Sequence, residues 1–238
     1  MKHLPVLTPR LKKIADMIHP CDCVADIGTD HGYLPVFLCG VEKCKTAIAS
    51  DVNEGPLKRA EATVSQHKMK DRISLRLGSG AETLTPGETD AIVIAGMGGL
   101  LIGELLKASP DVFAKANQII LQPMSSIPEL REELYQMGYS ILEEVLVPEE
   151  EKLYHILSVI PKRETEDFSS LDFLLGRCLC QNKPEYFDRY IQKELLRQSR
   201  KVAGLKKAKE VDEAALNEAE KILEEMKQIA GGNKNAES

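Results

Sequence analysis

The 238-residue chain contains no apolar run long enough for a signal peptide or a membrane span, so a cytoplasmic location and no membrane partner are expected. It also lacks an excess of positive charge. Its 31 Lys and Arg face 37 Asp and Glu, for a net charge of −6. That balance excludes a uniformly basic nucleic-acid-binding coat and leaves room only for a local basic face. Metal-ligand spacing is missing too: Cys21-x-Cys23 and the pair Cys39 and Cys44 do not match zinc-knuckle spacing, and Cys178 and Cys180 stand apart from them. All six cysteines read as free thiols, the first four gathered at one sheet edge, and no metal is expected. With 43% hydrophobic residues, the chain can bury one core of roughly 150 residues and still have length to spare.

What is present begins with VADIGTDHGYLP at 24–35, followed by ASDVN at 49–53. The apolar run Val24–Ile27 ends in Asp26 and Gly28, and Gly32 opens a helix, so the segment predicts strand, tight turn and helix. Glycine lets backbone approach a ligand, and a helix start offers free N–H donors. The G-x-G-x-x-G fingerprint of dinucleotide sites is absent, its place taken by Thr29-Asp30-His31. A pyrophosphate gains nothing from carboxylates, whereas the cationic amino group and sulfonium of S-adenosylmethionine (SAM) are favoured by Asp26 and Asp30. Asp51 closes the run Thr46–Ser50 at the same sheet edge, where a carboxylate can accept both hydroxyls of a ribose. NAD enzymes use the same acid, so the choice of SAM rests on Asp26, Asp30 and the missing third glycine.

Strand and helix signals then alternate. Thr8-Pro9 starts a helix carrying Leu11, Ile14, Ala15 and Ile18 on one stripe. After it come strands at 24–27, 46–50, 73–77, 91–95 and 118–122, separated by helices from Gly32, over 54–67, over 98–107, and after a capping box Ser126-x-x-Glu129. Alternation of this kind predicts a parallel sheet with helices on both faces. The runs Ile141–Val147 and Leu153–Ile160 are joined by only 148–152, too short for a parallel crossover, so the last strand is antiparallel. The fold class is therefore α/β, a Rossmann-like seven-stranded sheet with a reversed last strand, the pattern of class I methyltransferases. The predicted domains are 1–161, a linker 162–170, a helical, coiled-coil-like hairpin 171–230, and a tail 231–238. The hairpin seam is read from Phe187, Ile191, Leu195, Val202 and Leu205 against Leu216, Ala219, Leu223, Met226 and Ala230. Residues 183–209 hold nine Lys or Arg against three acids, and 210–230 seven acids against two Lys. These charges either pair across the hairpin or leave Arg189, Lys193, Arg197, Arg200 and Lys201 for phosphates.

The remaining motifs narrow the chemistry. Ser79 and Gly80, after the third strand, suit the adenine edge of SAM. Ile94-Ala95-Gly96-Met97-Gly98-Gly99 stands where enzymes acting on an exocyclic adenine amine carry Asn/Asp-Pro-Pro-Tyr, and Gln122-Pro123-Met124 has no thiol for a C5-cytosine adduct. A ring nitrogen such as adenine N1 needs neither device, only placement, exclusion of water and tolerance of the developing cation. Small backbone at Gly96, Met97 and Gly98 leaves room for a flat base extruded from its stem, and the Gln122 amide is expected to read its edge. His31 and Tyr33 are further substrate-pocket candidates. His3, His19, His67 and His155 read as structural or exposed.

VADIGTDHGYLP, ASDVN, GSGAE, IAGMGG and LQPM, in this order and followed by a helical hairpin, resemble the bacterial tRNA (adenine-22-N1)-methyltransferases over almost the whole chain. The resemblance implies SAM-dependent methylation of N1 of an adenine in the tRNA D-loop region. It implies Asp26, Gly28, Asp30 and His31 on the methionine side, Asp51 and Asn53 at the ribose, Ser79 and Gly80 at the adenine, and Gly96, Met97 and Gly98 as the floor near the methyl. Arg10, Lys13, Arg189, Lys193, Arg197 and Arg200 are the expected tRNA contacts, and a monomer is expected. Two rival readings are a small-molecule methyltransferase and a non-catalytic SAM- or RNA-binding module.

Overall fold

The computed structural model describes residues 4–162, 167–208, 210 and 212–231. His3, part of the expected linker (163–166) and the expected tail from 232 onward lie outside the described residues. The chain divides into two compact units, Met1–Thr165 and Glu166–Ser238.

The first unit opens with α1 (Pro9–Met17), where Thr8 accepts a hydrogen bond from the Leu11 N–H and Pro9 takes the first helical position. Ile14, Ala15 and Ile18 from its stripe are buried. Then follow β1 (Cys21–Ile27), α2 (Tyr33–Gly40), β2 (Cys44–Asp51), α3 (Glu54–Gln66), β3 (Ile73–Leu77), a 3-10 turn Gly80–Thr83, β4 (Ala91–Met97), α4 (Gly99–Ala108), α5 (Pro110–Phe113), β5 (Gln118–Pro123), α6 (Ile127–Gln136), β6 (Ser140–Glu149) and β7 (Lys152–Ile160). The seven strands run in the order β3-β2-β1-β4-β5-β7-β6. β1 to β5 are mutually parallel, and β7 is antiparallel to both β5 and β6. The central strands are covered on both faces, which is why β5 is buried along its whole length and β4 over Ala91–Ile94. Because the chain leaves β1 toward β2 on one side and β4 lies on the other, the strand order reverses between β1 and β4. A crevice opens at their C-terminal ends, the usual ligand position in such sheets.

One local expectation needs correction. Ser126 does precede α6, but its φ of 52° is left-handed and its side chain makes no capping bond, so the predicted capping box does not form. The reason lies in α4: the Gly99 N–H donates to the Ser125 carbonyl (2.8 Å), and the bare Cα of Gly99 admits the Ser126 carbonyl, fixing this turn from outside. His155, expected to be structural or exposed, is structural and belongs to a buried ionic cluster. Arg131 on α6 donates through Nε (3.1 Å) and a terminal nitrogen (2.6 Å) to the two oxygens of Glu144 on β6, while His155 Nδ1 on β7 lies 2.8 Å from Glu144. Burial pushes the Glu144 carboxyl up, but Arg131 and His155 outweigh it and hold it below its ordinary range. At the opposite, N-terminal end of the strands, Cys21 and Cys44 pair in register and the Cys39 and Cys44 sulfurs lie 3.5 Å apart. No group of metal-ligating side chains occurs among the described residues.

The second unit contains a π-helical turn Asp172–Gly176, α7 (Arg177–Asn182), α8 (Phe187–Lys206) and α9 (Glu213–Gly231). α8 and α9 pack together and bury Phe187, Ile191, Val202, Ala219 and Met226 of the predicted seam. The other five seam residues are half-buried, since each helix has one neighbour along this seam. Two polar residues take part as well. Gln198 Nε2 donates to the Ala219 carbonyl (2.9 Å) across the hairpin, and the Tyr190 hydroxyl reaches the carbonyls of Leu174 (3.2 Å) and Leu175 (3.1 Å). A hydrophobic pattern cannot reveal such residues, because their polar atoms are satisfied only by a neighbouring backbone.

Candidate active site

The crevice is built around the end of β1. Asp26, 7% exposed, sits between Ala49 of β2 and Val93 of β4. Directly after the strand, the N–H groups of Gly28 (2.8 Å) and Thr29 (2.9 Å) both donate to the Ser50 carbonyl, tying the turn to the end of β2. Gly28 has φ +80°, and a Cβ there would overlap the Met97 Cε. Gly32, with φ +66°, lies where a Cβ would come within 3.3 Å of the Ala60 Cα, so only glycine lets this turn pack on α3. The resulting cavity, about 340 Å³, is lined by Asp26, Gly28 through Leu34, Ala95, Gly96, Arg10 and Leu11.

Charge within the cavity is uneven. Burial, with a contribution from Asp51, pushes the Asp26 carboxyl up to about 6 in spite of the opposing pull of its hydrogen bond with Thr29. Asp30, expected to share the cationic ligand with Asp26, is 60% exposed and held by the Arg59 guanidinium through Nε (3.0 Å) and a second, shorter bond. His31 Nε2 lies 3.4 Å from the same carboxylate. Asp26 is therefore the buried carboxylate of the cavity without a matching cation. His31 also stacks on Tyr33, with centroids 5.0 Å apart and rings inclined by 17°, so the two candidates form one platform at the cavity wall.

The other expected contacts follow the same sheet edge. Asp51 ends β2, its Oδ1 accepting the Asn53 N–H (2.8 Å), and its carbonyl takes the Gly78 N–H from the turn after β3 (3.0 Å). Val52 and Leu77, both exposed, stand on either side as apolar flanks. Ser79 is exposed, and Gly80 begins the 3-10 turn with φ +51°, where a Cβ would meet Leu105 at 2.5 Å. Across the crevice, Gly96 (φ +80°) is open on its Cβ side, and Gly98 caps α4.

Two side chains sit elsewhere than the sequence suggested. Gln122 is fully buried, with Oε1 accepting from the Gly96 N–H (3.1 Å) and Arg10 (3.2 Å), and Nε2 donating to the Pro123 carbonyl (2.9 Å). Its amide is spent on the protein and presents no edge to a base. Arg10, expected on an outer face for tRNA, instead turns into the crevice, where its guanidinium lies over the Tyr154 ring at 4.8 Å. Arg10 and Gln122 are 112 residues apart, and no local pattern signals their pairing. Lys13 is half-buried on α1. In the second unit, Arg189, Lys193, Arg197 and Arg200 are exposed on α8. Lys206 pairs across the hairpin with Glu220 (2.6 Å), and Arg197 reaches Glu194 on its own helix (3.7 Å). Lys193, Arg200 and Lys201 have no ion-pair partner among the described residues.

Known proteins share this architecture. The Bacillus subtilis tRNA (adenine(22)-N(1))-methyltransferase is 39% identical over 151 residues, which span 63% of this chain and 63% of that protein. The crystal structure of the B. subtilis m1A22 tRNA methyltransferase TrmK superposes with a TM-score of 0.85 at 31% identity, covering 94% of this chain and 99% of that one. A Streptococcus pneumoniae putative tRNA (m1A22) methyltransferase, solved in complex with S-adenosyl-L-methionine, superposes with a TM-score of 0.82 at 28% identity, covering 94% of this chain and 100% of that one. A family model described as a methyltransferase domain matches residues 7–157, from before α1 into β7, and on that match the chain belongs to the methyltransferase-domain family.

Proposed function

We propose that this protein is a SAM-dependent tRNA methyltransferase acting on N1 of adenine 22. The observation that carries the reading is the pairing, at one sheet edge, of a buried uncompensated carboxylate with an oriented ribose acceptor, opposite an open glycine floor. The residues fit SAM. Asp26 would take the ammonium, Asp51 and the exposed Asn53 the ribose, Val52 and Leu77 the faces of the adenine, and Ser79 its edge. Bound SAM would supply a methyl group on a positively charged sulfur. The names of the similar proteins, and the SAM bound to the Streptococcus one, support the same cofactor and substrate.

What the chain itself contributes is placement. Adenine N1 carries its own lone pair, so no side chain has to remove a proton before attack. The protein must hold the base in line, exclude water and leave space for it, which Gly96 and Gly98 do with backbone alone. The Gly96 N–H is already committed to Gln122 Oε1, which ties this floor to the end of β5. In a paired stem N1 is occupied, and the base has to leave the helix to reach this floor. Incubation with labelled SAM and unmodified tRNA transcripts carrying A22 or G22 tests the reading: label is expected as 1-methyladenosine in the A22 transcript alone. Label in small molecules but not in RNA would support a small-molecule methyltransferase. RNA binding without transfer would support a non-catalytic module.

Two further results are expected. Ionised Asp26 is unfavourable when buried alone, so as pH rises from its ordinary value near 3.8 to above 6 the folded state loses stability, which a bound ammonium restores. SAM affinity should accordingly weaken about tenfold per pH unit below about pH 6. Asp26→Asn should bind weakly with no such dependence, and calorimetric titrations across pH 5 to 8 would show it. For the RNA, replacing Lys193, Arg197 and Arg200 together by Gln should flatten the slope of log K against log salt by roughly 2 to 3 units and leave SAM affinity unchanged. An unaltered slope would remove α8 from the tRNA-binding surface.

A further inference from the structure

Large apolar side chains lie exposed on the first unit in two different ways. Val41 and Leu142 stand singly, as such residues commonly do. Leu100, Leu101 and Met124, each close to half exposed, instead come together beside the glycine floor. Two hydrogen bonds join the turns that carry them: the Gly99 N–H donates to the Ser125 carbonyl and the Met124 N–H to the Met97 carbonyl, both at 2.8 Å. The start of α4 and the turn after β5 therefore form one apolar rim. Leu105, one turn beyond Leu101, packs where a Cβ on Gly80 would stand, which puts Leu101 on the flank facing the 3-10 turn. Leu100 and Met124 are the members of the rim left beside the floor.

The chemistry of this rim is as one-sided as its position. No Lys, Arg, Asp or Glu occurs over 91–103 or 116–128, the two stretches that build the floor and its rim. Their side chains therefore bring no charge to a phosphate, and what they offer a nucleic acid is apolar contact with its bases. Arg10 does meet the Met124 sulfur (3.2 Å), but its guanidinium is also held by Gln122 Oε1 and the Tyr154 ring. A base that leaves a stem loses its stacking on both neighbours, and apolar side chains such as Leu and Met fill the opened step in other nucleic-acid complexes. Resting on the tRNA reading above, we propose that Leu100 and Met124 enter the space that the target adenine leaves and pack against the bases on either side of it, which holds the adenine out over Gly96 and Gly98. Both act as positioning residues and touch neither the methyl group nor the cofactor.

The test is single-turnover methylation by the full chain at saturating SAM and tRNA. Two transcripts are compared, one with adenine 22 paired and one in which the opposing nucleotide is changed so that it is unpaired. Leu100→Ser combined with Met124→Ser is expected to slow methylation of the paired transcript about 10- to 100-fold and of the unpaired one by no more than about threefold, because an unpaired base costs less to extrude. Leu100→Met, which keeps an apolar side chain, should stay close to wild type. Calorimetric SAM affinity should be the same in every variant. Equal slowing on both transcripts would overturn the proposal in favour of a rim that only shapes the base pocket. A weakened SAM affinity would overturn it in favour of a cofactor contact. A wild-type rate on the paired transcript would also overturn it, and a wild-type dimer that the same substitutions dissociate would assign the rim to a second copy of the chain. A wild type that methylates neither transcript would bring down the tRNA reading itself, and this proposal with it.

Discussion

Asp51→Ala is expected to lower SAM affinity by about 100-fold or more while the protein stays folded. The carboxylate ends β2 at the crevice edge, and the Asn53 N–H holds Oδ1 in place, leaving Oδ2 without a protein partner among the described residues. Each charge-assisted hydrogen bond to a ribose hydroxyl contributes about 1.5–3 kcal/mol, so losing two of them costs at least about 3 kcal/mol. The fold should tolerate the change because the side chain is half-exposed and accepts its hydrogen bond from a backbone group two residues away. Calorimetry for affinity and a thermal melt for folding would separate the two effects. Unchanged affinity in a folded variant would take away the ribose assignment and with it the orientation of the cofactor along the sheet edge.

Arg131→Leu should destabilise the first unit by about 3–5 kcal/mol, read from urea unfolding, because it leaves the buried Glu144 carboxylate with only the His155 imidazole in place of a permanent cation. The pH dependence gives a second signature. In the native protein the folded Glu144 carboxyl lies below its ordinary value of 4.5, so its stabilising contribution is present above about that pH and is lost as pH falls through the lower folded value. Without Arg131, burial dominates and the carboxyl prefers to be protonated, so the variant should lose stability as pH rises and the gap from wild type should narrow in acid. Replacing Arg131, Glu144 and His155 together by apolar residues of similar size should cost less than Arg131→Leu alone, because no unpaired charge remains. A triple variant less stable than the single one would mean that the cluster contributes net stability beyond its own desolvation.

How far the sequence carried the structure depends on the range of the interaction involved. Strand β3 runs over Ile73–Leu77 as its apolar residues predict, and α1 begins at Pro9 behind the Thr8 cap, since both signals act between near neighbours. The antiparallel end of the sheet was legible for a similar reason: a five-residue connection between two long apolar runs cannot cross over. The first turn was legible because Gly28 and Gly32 adopt positive φ beside Asp26, and a glycine pattern next to a carboxylate states both geometry and charge. The sequence by itself thus determined the fold class, the crevice edge and the acids along it. It did not reveal the bonding partners of Asp30, Gln122, Arg10 and Ser126. The partners of these residues are Arg59, 29 residues on; Arg10, 112 residues back; and the start of α4, which reaches the turn before α6 only in the folded sheet. A side chain's hydrogen-bonding capacity is written in its residue type, but what it is spent on depends on which elements become adjacent. Only the tertiary structure therefore decided which of the crevice charges, Asp26 and Arg10, have no charged partner among the described residues.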